Sequence, residues 1–259
     1  MITVLLPVRN VEEIIEECLT ALQWASEVIL IDGNSTDSTL KIAAQFTNVR
    51  VKQHPSPDIR ICTQETEPEA KHDWILWVQA DEIYTSELSA EIQEKCSQAS
   101  ENIHAFRVPQ RLIQFGEDFG PGAKELRLWR KGKGKFAFQT IHDMPIVQGD
   151  IGILEYFYLH KNNPNLMTAI PKTLKYNLID AKNASDEDCH RINSSFWFQL
   201  LRFNYVSIRT YFSCSVKGFG AASHAFTNGL YQLFRHLMLI EQSRVRRGKI
   251  NNHTNGWKV

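Results

Sequence analysis

The sequence predicts an α/β fold, with a mixed, mainly parallel sheet flanked by helices and a helical appendage at the C-terminus. Residues 74–78 are a short apolar run bounded by charged residues, which is typical of a strand buried on both faces of a parallel sheet. Residues 2–8 and 27–31 are two further apolar runs, with apolar residues at helical spacing between them. This strand–helix–strand order predicts a right-handed parallel crossover.

The C-terminal part of the chain differs from the rest in its charge. The 259 residues carry a formal net charge of zero, yet from His190 onward there are ten Lys/Arg residues and a single acid, Glu241. The polar residues 185–188 indicate a linker before this basic region. We therefore predict a first domain over residues 1–160 and a helical, basic region over residues 161–259.

The composition argues against several classes of protein. The five cysteines are odd in number and far apart, so neither a disulfide framework nor a zinc site is predicted. They are Cys18, Cys62, Cys96, Cys189 and Cys214. The sequence has no Gly-x-Gly-x-x-Gly or Walker A motif, which disfavours dinucleotide and P-loop sites. No secretory pattern and no run of about 18 apolar residues is present, so we expect a protein of the cytoplasm without a spanning helix.

Acidic residues stand at the ends of two predicted strands. Ligands in open α/β sheets bind outside the carboxyl ends of the strands. Asp32 ends the second strand, where it can accept hydrogen bonds from the sugar or base of a nucleotide, and Asp81 and Glu82 end the third, where carboxylates suit Mg²⁺. Each has a local alternative. Asp32 can form a tight turn, and the acidic pair can simply precede a helix that Thr85 or Ser86 caps.

Three motifs in order give the sequence a resemblance to a known family. They are Pro7-Val8-Arg9-Asn10, Asp32-Gly33-Asn34-Ser35-Thr36-Asp37 and Gln79-Ala80-Asp81-Glu82. With these motifs the chain resembles the family 2 glycosyltransferases of the GT-A fold, and within them the lipopolysaccharide-core β-glucosyltransferase-like branch. The resemblance implies that residues 7–10 line the base pocket, that Asp32 contacts uracil or ribose, and that residues 79–80 border the donor. It also implies that Asp81 binds Mg²⁺ or Mn²⁺ on the diphosphate.

A fourth motif, Ile141-His142-Asp143, is similar to a Val-His-Glu sequence of that branch. An inverting transferase needs a base to take the proton of the attacking acceptor hydroxyl. The resemblance implies that Asp143 is this base and that His142 contacts the metal or a phosphate. The alternative is a surface pair that follows a hairpin, which we predict over residues 125–138.

His160 stands at the end of the apolar run 151–160. It is likewise either a site residue or an ordinary surface histidine.

Two features depart from the family pattern. Gln79 stands where the family usually has an aspartate, and an amide brings no negative charge, so we expect weaker binding of the cation. Residues 55–68 contain three prolines where relatives tend to have a polar cluster on a helix. Because prolines break helices, we assign no role to Arg60 or Gln64.

The basic region has the pattern of helices that lie in a membrane interface. Between residues 196 and 212 apolar and aromatic residues recur at helical spacing, and Arg202 and Arg209 lie seven residues apart on one face. Lys/Arg beside an aromatic stripe is typical of peripheral attachment to an anionic membrane surface. The alternative is a helical hairpin packed on the domain or on a second subunit. No motif for binding nucleic acid accompanies the charge.

Taken with the resemblance, these features predict an inverting, metal-dependent hexosyltransferase. It would move a hexose from a nucleotide diphosphate sugar, UDP-linked, to a hydroxyl of a lipid-linked or cell-envelope saccharide at the cytoplasmic face of the membrane. The alternative is a non-catalytic relative that binds nucleotide sugar or a membrane partner, and Gln79 and the altered segment 55–68 motivate it. A nucleotidyltransferase is disfavoured because residues 8–11 form no Gly-rich basic loop.

Overall fold

The computed structural model describes residues 1–138, 144–183, 196–214 and 217–246. Within these residues the predicted α/β class is confirmed. The strands are β1 (Ile2–Val8), β2 (Glu27–Asp32), β3 (Val49–Gln53), β4 (Trp74–Trp77), β5 (Glu82–Tyr84), β6 (Ile103–Gln114), β7 (Glu117–Arg130), β8 (Gly134–Lys135), β9 (Ile146–Val147), β10 (Asp150–Ile153) and β11 (Tyr158–Lys161). The α-helices are α1 (Ile15–Ala21), α2 (Thr39–Ala43), α3 (Ile59–Thr66), α4 (Ser86–Gln98), α5 (Leu166–Asn183), α6 (Phe196–Ser213) and α7 (Phe219–Arg246).

One large sheet organises the first part of the chain. Among the described strands its order is β3-β2-β1-β4-β7-β6-β11-β5, with β10 paired to β6. The pairs β2–β3, β1–β2 and β1–β4 are parallel, as the predicted crossover requires. The pair β4–β7 is antiparallel, and β11 runs antiparallel to β5 but parallel to β6. The carboxyl ends of β1, β2 and β4 therefore meet at one edge of the sheet.

The central strands are apolar because both of their faces are covered. All seven residues of β1 are buried. Val4 packs in a cluster that includes residues of α1 and α4, whereas its neighbour Leu5 packs in a second cluster that includes Cys62 of α3. Successive side chains of a strand point to opposite faces. Each leucine buried in this way contributes about 1.5–3 kcal/mol, so the central strands hold the loops at their ends in place.

The segment 55–68 contains a helix, contrary to our expectation. Pro55 and Pro57 precede α3, and Pro68 lies in the 3₁₀ turn Glu67–Glu69 that follows it. The side chain of Asp58 caps the helix by accepting a hydrogen bond from the backbone N–H of Arg60 at 2.9 Å. The prolines therefore flank the helix, where their missing N–H groups break no helical hydrogen bond.

The predicted hairpin over residues 125–138 is wrong. The strand that contains residues 125–130 begins at Glu117, and it pairs with β4 with Trp74 opposite Arg130. The short strand β8 pairs with β9 instead of returning along β7. Leu128 is fully buried in the main core cluster, so packing against a distant strand outweighs the local turn.

The chain divides into two compact units, residues 1–113 with 120–161, and residues 114–119 with the chain from 162 onward. In the second unit α6 and α5 both pack on α7. The predicted helical C-terminal region is therefore present, although it also includes the short segment 114–119. Among the described helices, none combines the length and the apolar character that crossing a bilayer requires.

Candidate active site

The loops after β1 and β2 form the first part of the candidate site. Val8 lies opposite Asp32 in the sheet, and the Gly33 N–H donates to the Val8 carbonyl at 2.9 Å. The Asp32 side chain is fully buried, and its two oxygens accept from the Ser35 N–H at 3.2 and 3.1 Å. In this structure Asp32 therefore holds the turn that follows β2. Its predicted contact with uracil or ribose remains a prediction.

Hydrogen bonds join these two loops to each other. The Asn10 N–H donates to Ser35 Oγ at 3.0 Å, and Asn10 Oδ1 accepts from the Thr36 N–H at 2.8 Å. Asn10 and Asn34 have φ values of 52° and 63°, the left-handed conformation that asparagine tolerates best among residues with a side chain. Residues 10–14 with Thr36 and Asp37 line a cavity of about 400 Å³ beside the loops.

The four residues predicted to line the base pocket do not have the same environment. Pro7 and Val8 belong to β1 and are buried, whereas Arg9 and Asn10 are exposed. Arg9 and Asn10 are therefore the members of the motif whose side chains a ligand can reach, and the predicted base pocket remains a prediction.

The two adjacent acids in the turn after β4 have different environments. The Glu82 N–H donates to the Gln79 carbonyl at 3.1 Å, and the Gln79 N–H donates to Glu82 Oε2 at 3.1 Å, so the turn is closed from both sides. The Asp81 side chain is 24% exposed, whereas that of Glu82 is 0% exposed. Ala80 is buried and Gln79 half-buried. Asp81 can therefore meet a ligand, while Glu82 supports the turn from inside.

A buried ion network surrounds Glu82. Arg127 Nη2 lies 2.7 Å from Glu82 Oε1 and 2.7 Å from Glu125 Oε2, and the Tyr158 hydroxyl donates to Glu125 at 2.9 Å. The guanidinium also lies 4.7 Å from the ring centre of Trp77. Burial raises the pKa of Glu82 to about 7, although the charge of Arg127 acts to lower it. The turn after β4 is thus anchored to a charged group inside the domain.

The structure brings His160 next to Asp81. In the pairing of β11 with β5, His160 lies opposite Glu82, and its Nε2 is 3.5 Å from Asp81 Oδ2. The Lys161 N–H donates to the Asp81 carbonyl at 2.8 Å. Burial lowers the pKa of His160, but the hydrogen bond and the charge of Asp81 raise it more, and the net shift is upward.

The donor set at this point fits a hard or borderline divalent cation. Asp81 supplies a carboxylate oxygen and His160 an imidazole nitrogen, and their side chains are 24% and 19% exposed. In the part of the chain that the structure describes, no cluster of three or more His, Cys, Asp or Glu residues could hold a metal alone. Mg²⁺ and Mn²⁺ sites commonly take one or two protein ligands and complete their coordination with substrate phosphate and water.

Two predicted residues lie outside the described residues. They are His142 and Asp143, the predicted metal contact and base. The preceding described residue, Phe138, lies beside α3, with its ring centre 5.5 Å from the guanidinium carbon of Arg60. Arg60 is only 7% exposed and pairs with Asp58. Arg60, to which we assigned no role from the sequence, therefore lies against Phe138 in the structure.

A known family matches more than half of the chain. The profile of the family described as Glycosyl transferase family 2 matches residues 3–145, which include all four motifs. This match confirms the predicted resemblance and the GT-A class of the fold.

Curated relatives and solved structures are similar to the chain at low identity. A lipopolysaccharide core biosynthesis glycosyltransferase, LpsC, of Rhizobium meliloti is 25% identical over 55% of this chain and 56% of its own length. An uncharacterized glycosyltransferase of Rickettsia bellii is 29% identical over 75% of this chain and 71% of its own length. The chain therefore spans little more than half of LpsC. Among solved structures, S. aureus TarS 1-349 in complex with UDP is 12% identical, with a TM-score of 0.47 over 96% of this chain and 92% of that one.

Proposed function

Because the chain belongs to glycosyl transferase family 2, we propose that it transfers a hexose from a nucleotide diphosphate sugar, UDP-linked, to a hydroxyl of a saccharide acceptor with inversion. The observation that carries this proposal is the pair of Asp81 and His160, 3.5 Å apart at the carboxyl edge of β4. That edge is where ligands of open α/β sheets bind. The two loops that are joined by the hydrogen bond between Asn10 and Ser35 lie at the same edge, where a nucleoside would bind.

Asp81 and His160 would hold the cation, and His142 is a further predicted contact. The bound Mg²⁺ or Mn²⁺ would supply positive charge that stabilises the departing diphosphate. The chain contributes a fixed turn, since Gln79 and Glu82 hold each other through two hydrogen bonds of 3.1 Å. Asp81 is thereby oriented before the ligand arrives, which reduces the reorganisation needed for catalysis.

Asp143 would act as the general base. The acceptor oxygen would attack the anomeric carbon from the face opposite the diphosphate, its proton would pass to Asp143, and the bond to the diphosphate oxygen would break. A carboxylate suits this role if it lies within hydrogen-bond reach of the hydroxyl. The attack from the opposite face is what makes the reaction inverting.

A turnover assay tests the proposal. Purified protein is incubated with Mn²⁺ and a panel of UDP-sugars, with and without saccharide acceptors, and the release of UDP is measured. We expect turnover with at least one donor, and its loss in Asp81→Ala and Asp143→Asn. Glu69→Ala is the control, because Glu69 pairs with Lys52 on an exposed surface.

The outcomes separate the enzyme from its non-catalytic alternative, which Gln79 favours because it replaces a family aspartate. Binding of UDP in calorimetry that needs no metal and yields no turnover would support that alternative. If no donor is bound or hydrolysed and Asp81→Ala behaves as wild type, both proposals fail.

We further propose that the acceptor is lipid-linked and that α6 attaches the protein to the cytoplasmic face of a membrane. One face of α6 carries an exposed apolar stripe. Its members are Phe198 at 44%, Leu201 at 69%, Tyr205 at 63%, Ile208 at 59% and Phe212 at 74% exposure. Arg202 and Arg209 are exposed beside the stripe. An apolar stripe flanked by arginines matches an anionic lipid surface.

Sedimentation with lipid vesicles tests this attachment. We expect the protein to bind vesicles rich in phosphatidylglycerol and to bind neutral vesicles weakly. Each basic residue near an anionic surface contributes about 1 kcal/mol, so Arg202→Gln with Arg209→Gln should weaken binding about thirtyfold. Leu201→Asp should abolish it, and Leu178→Asp on α5, 42% exposed and off the stripe, is the control. Dimers in solution without vesicle binding would instead identify the stripe as a subunit interface.

A further inference from the structure

Gln110 is a buried amide that contacts the candidate metal site from behind. It lies on β6, which is parallel to β11, and it is 8% exposed. Its Oε1 is 3.1 Å from Nδ1 of His160, while Nε2 of the same ring faces Asp81 at 3.5 Å. The three side chains therefore form a line from the interior of the domain to the carboxylate at the sheet edge.

A glycine on the next strand leaves room for the side chain of Gln110. A Cβ atom built on Gly122 of β7 would lie 2.6 Å from Gln110 Cγ and 2.9 Å from its Cδ. Real Cβ contacts are not this short, so any larger residue at position 122 would displace the amide. Gly122 therefore leaves the space in which Gln110 reaches His160.

We propose that Gln110 is a positioning residue that fixes the ring orientation and the tautomer of His160 for metal binding. An amide oxygen only accepts hydrogen bonds, so Nδ1–H is the donor in the contact with Gln110. A cation that displaces the hydrogen from Nε2, the atom that faces Asp81, can then bind the lone pair of that nitrogen. Histidines that bind metals commonly donate their other N–H to such a partner, and losing that partner typically weakens metal binding 10–100-fold. This inference rests on the proposed function, because it assumes a cation at Asp81 and His160.

Metal titration of matched variants tests the inference. Gln110→Leu keeps the size of the side chain but removes the acceptor, and Gln110→Glu restores an acceptor. The Kd of Mn²⁺ is measured by calorimetry in the presence of UDP. We expect a 10–100-fold weaker Kd in Gln110→Leu and a Kd within about threefold of wild type in Gln110→Glu. Gly122→Ala should weaken binding as Gln110→Leu does.

Gln114→Leu is the matched control. Gln114 lies on the same strand and is 7% exposed, and its Oε1 has no hydrogen-bond partner among the described residues. Its replacement should leave the Kd unchanged. A wild-type Kd in a folded Gln110→Leu variant, or equal losses in Gln110→Leu and Gln110→Glu, would overturn the inference.

A second measurement needs no variant. Nitrogen NMR of the wild-type protein with UDP and diamagnetic Mg²⁺ reports which nitrogen of His160 carries the hydrogen. We expect the Nδ1–H tautomer, and the Nε2–H tautomer would overturn the inference. If His160→Ala weakens Mn²⁺ binding but Gln110→Leu does not, only this inference fails. If wild type binds no Mn²⁺ with UDP, the proposed function itself fails.

Discussion

Replacing Arg127 with methionine tests whether the buried ion network holds the turn that carries Asp81. The guanidinium lies 2.7 Å from both Glu82 and Glu125, and the side chains of Arg127 and Glu82 are 3% and 0% exposed. Methionine has a similar length and no charge. The variant therefore removes the partner of Glu82 and leaves its carboxyl group in a site that water does not reach.

The size of the effect depends on pH, because Glu82 titrates near neutrality. Removing one partner of a buried ion pair costs about 3–5 kcal/mol. Burial raises the pKa of Glu82 to about 7, although Arg127 acts to lower it, so in wild type at pH 8 the group is ionised and the full loss applies. At pH 6 Glu82 is protonated, and the loss falls toward the roughly 1.5–3 kcal/mol of hydrogen bonds to charged groups, because Arg127 also contacts Glu125. A pKa that is raised in the folded state favours the protonated form, so Arg127→Met should lose more stability at pH 8 than at pH 6.

Urea unfolding at pH 8 and pH 6 measures this effect. We compare wild type, Arg127→Met, Glu82→Gln and the double variant, with Glu69→Gln as a surface control expected to change stability by less than about 1 kcal/mol. The double variant should recover much of the stability lost in Arg127→Met, because no buried charge is then left unpaired. A loss below about 1 kcal/mol at pH 8, an equal loss at both pH values, or strict additivity would refute the reasoning.

Three further predictions concern other parts of the first unit. Burial alone would raise the pKa of Glu27, but hydrogen bonds from the Lys71 N–H, Arg50 and Thr3 lower it below its ordinary value. Glu27→Gln should therefore reduce stability by about 1.5–3 kcal/mol at pH 7. In thermal melts the difference should shrink as the pH falls below 4.5 and through the lowered pKa of Glu27; a constant difference would contradict this. Thr85→Ala should cost about 1 kcal/mol by removing the cap of α4, and an unchanged urea midpoint would count against the cap. Asn10→Ala should weaken UDP binding in calorimetry without changing the Kd of Mn²⁺ alone, since it unlinks the two loops; unchanged UDP affinity would exclude the role.

Local patterns in the sequence were enough to predict β1, β2 and β4 in the parallel part of the sheet, but not β3. The runs at residues 2–8, 27–31 and 74–78 are apolar on both faces, and they became β1, β2 and β4. The wrong hairpin has a physical reason, because β7 pairs with β4, more than forty residues earlier in the chain. Pairing between strands that are distant in sequence depends on burial in the whole sheet, so a short stretch of sequence does not predict it.

The site was predicted only in part for the same reason. Asp81 was identified from its place after a strand, but its neighbour His160 comes from a strand that pairs with β5 nearly eighty residues later. The apolar run that ends at His160 indicated a strand, but it does not show which strand pairs with it or which side chain His160 contacts. The sequence analysis grouped Glu82 with Asp81 as a carboxylate suited to Mg²⁺ and assigned no role to Arg127, because sequence spacing does not show that both side chains face the interior. Their burial is a property of the assembled sheet.

Binding of Mn²⁺ in the presence of UDP is the most direct test of the central claim, that Asp81 and His160 together hold a cation on the diphosphate of the donor. Calorimetry on wild type, Asp81→Ala and His160→Ala, with folding checked by circular dichroism, gives the comparison. We predict that wild type binds the ion and that each variant binds it at least tenfold more weakly. Equal Mn²⁺ affinity in all three proteins would contradict the claim.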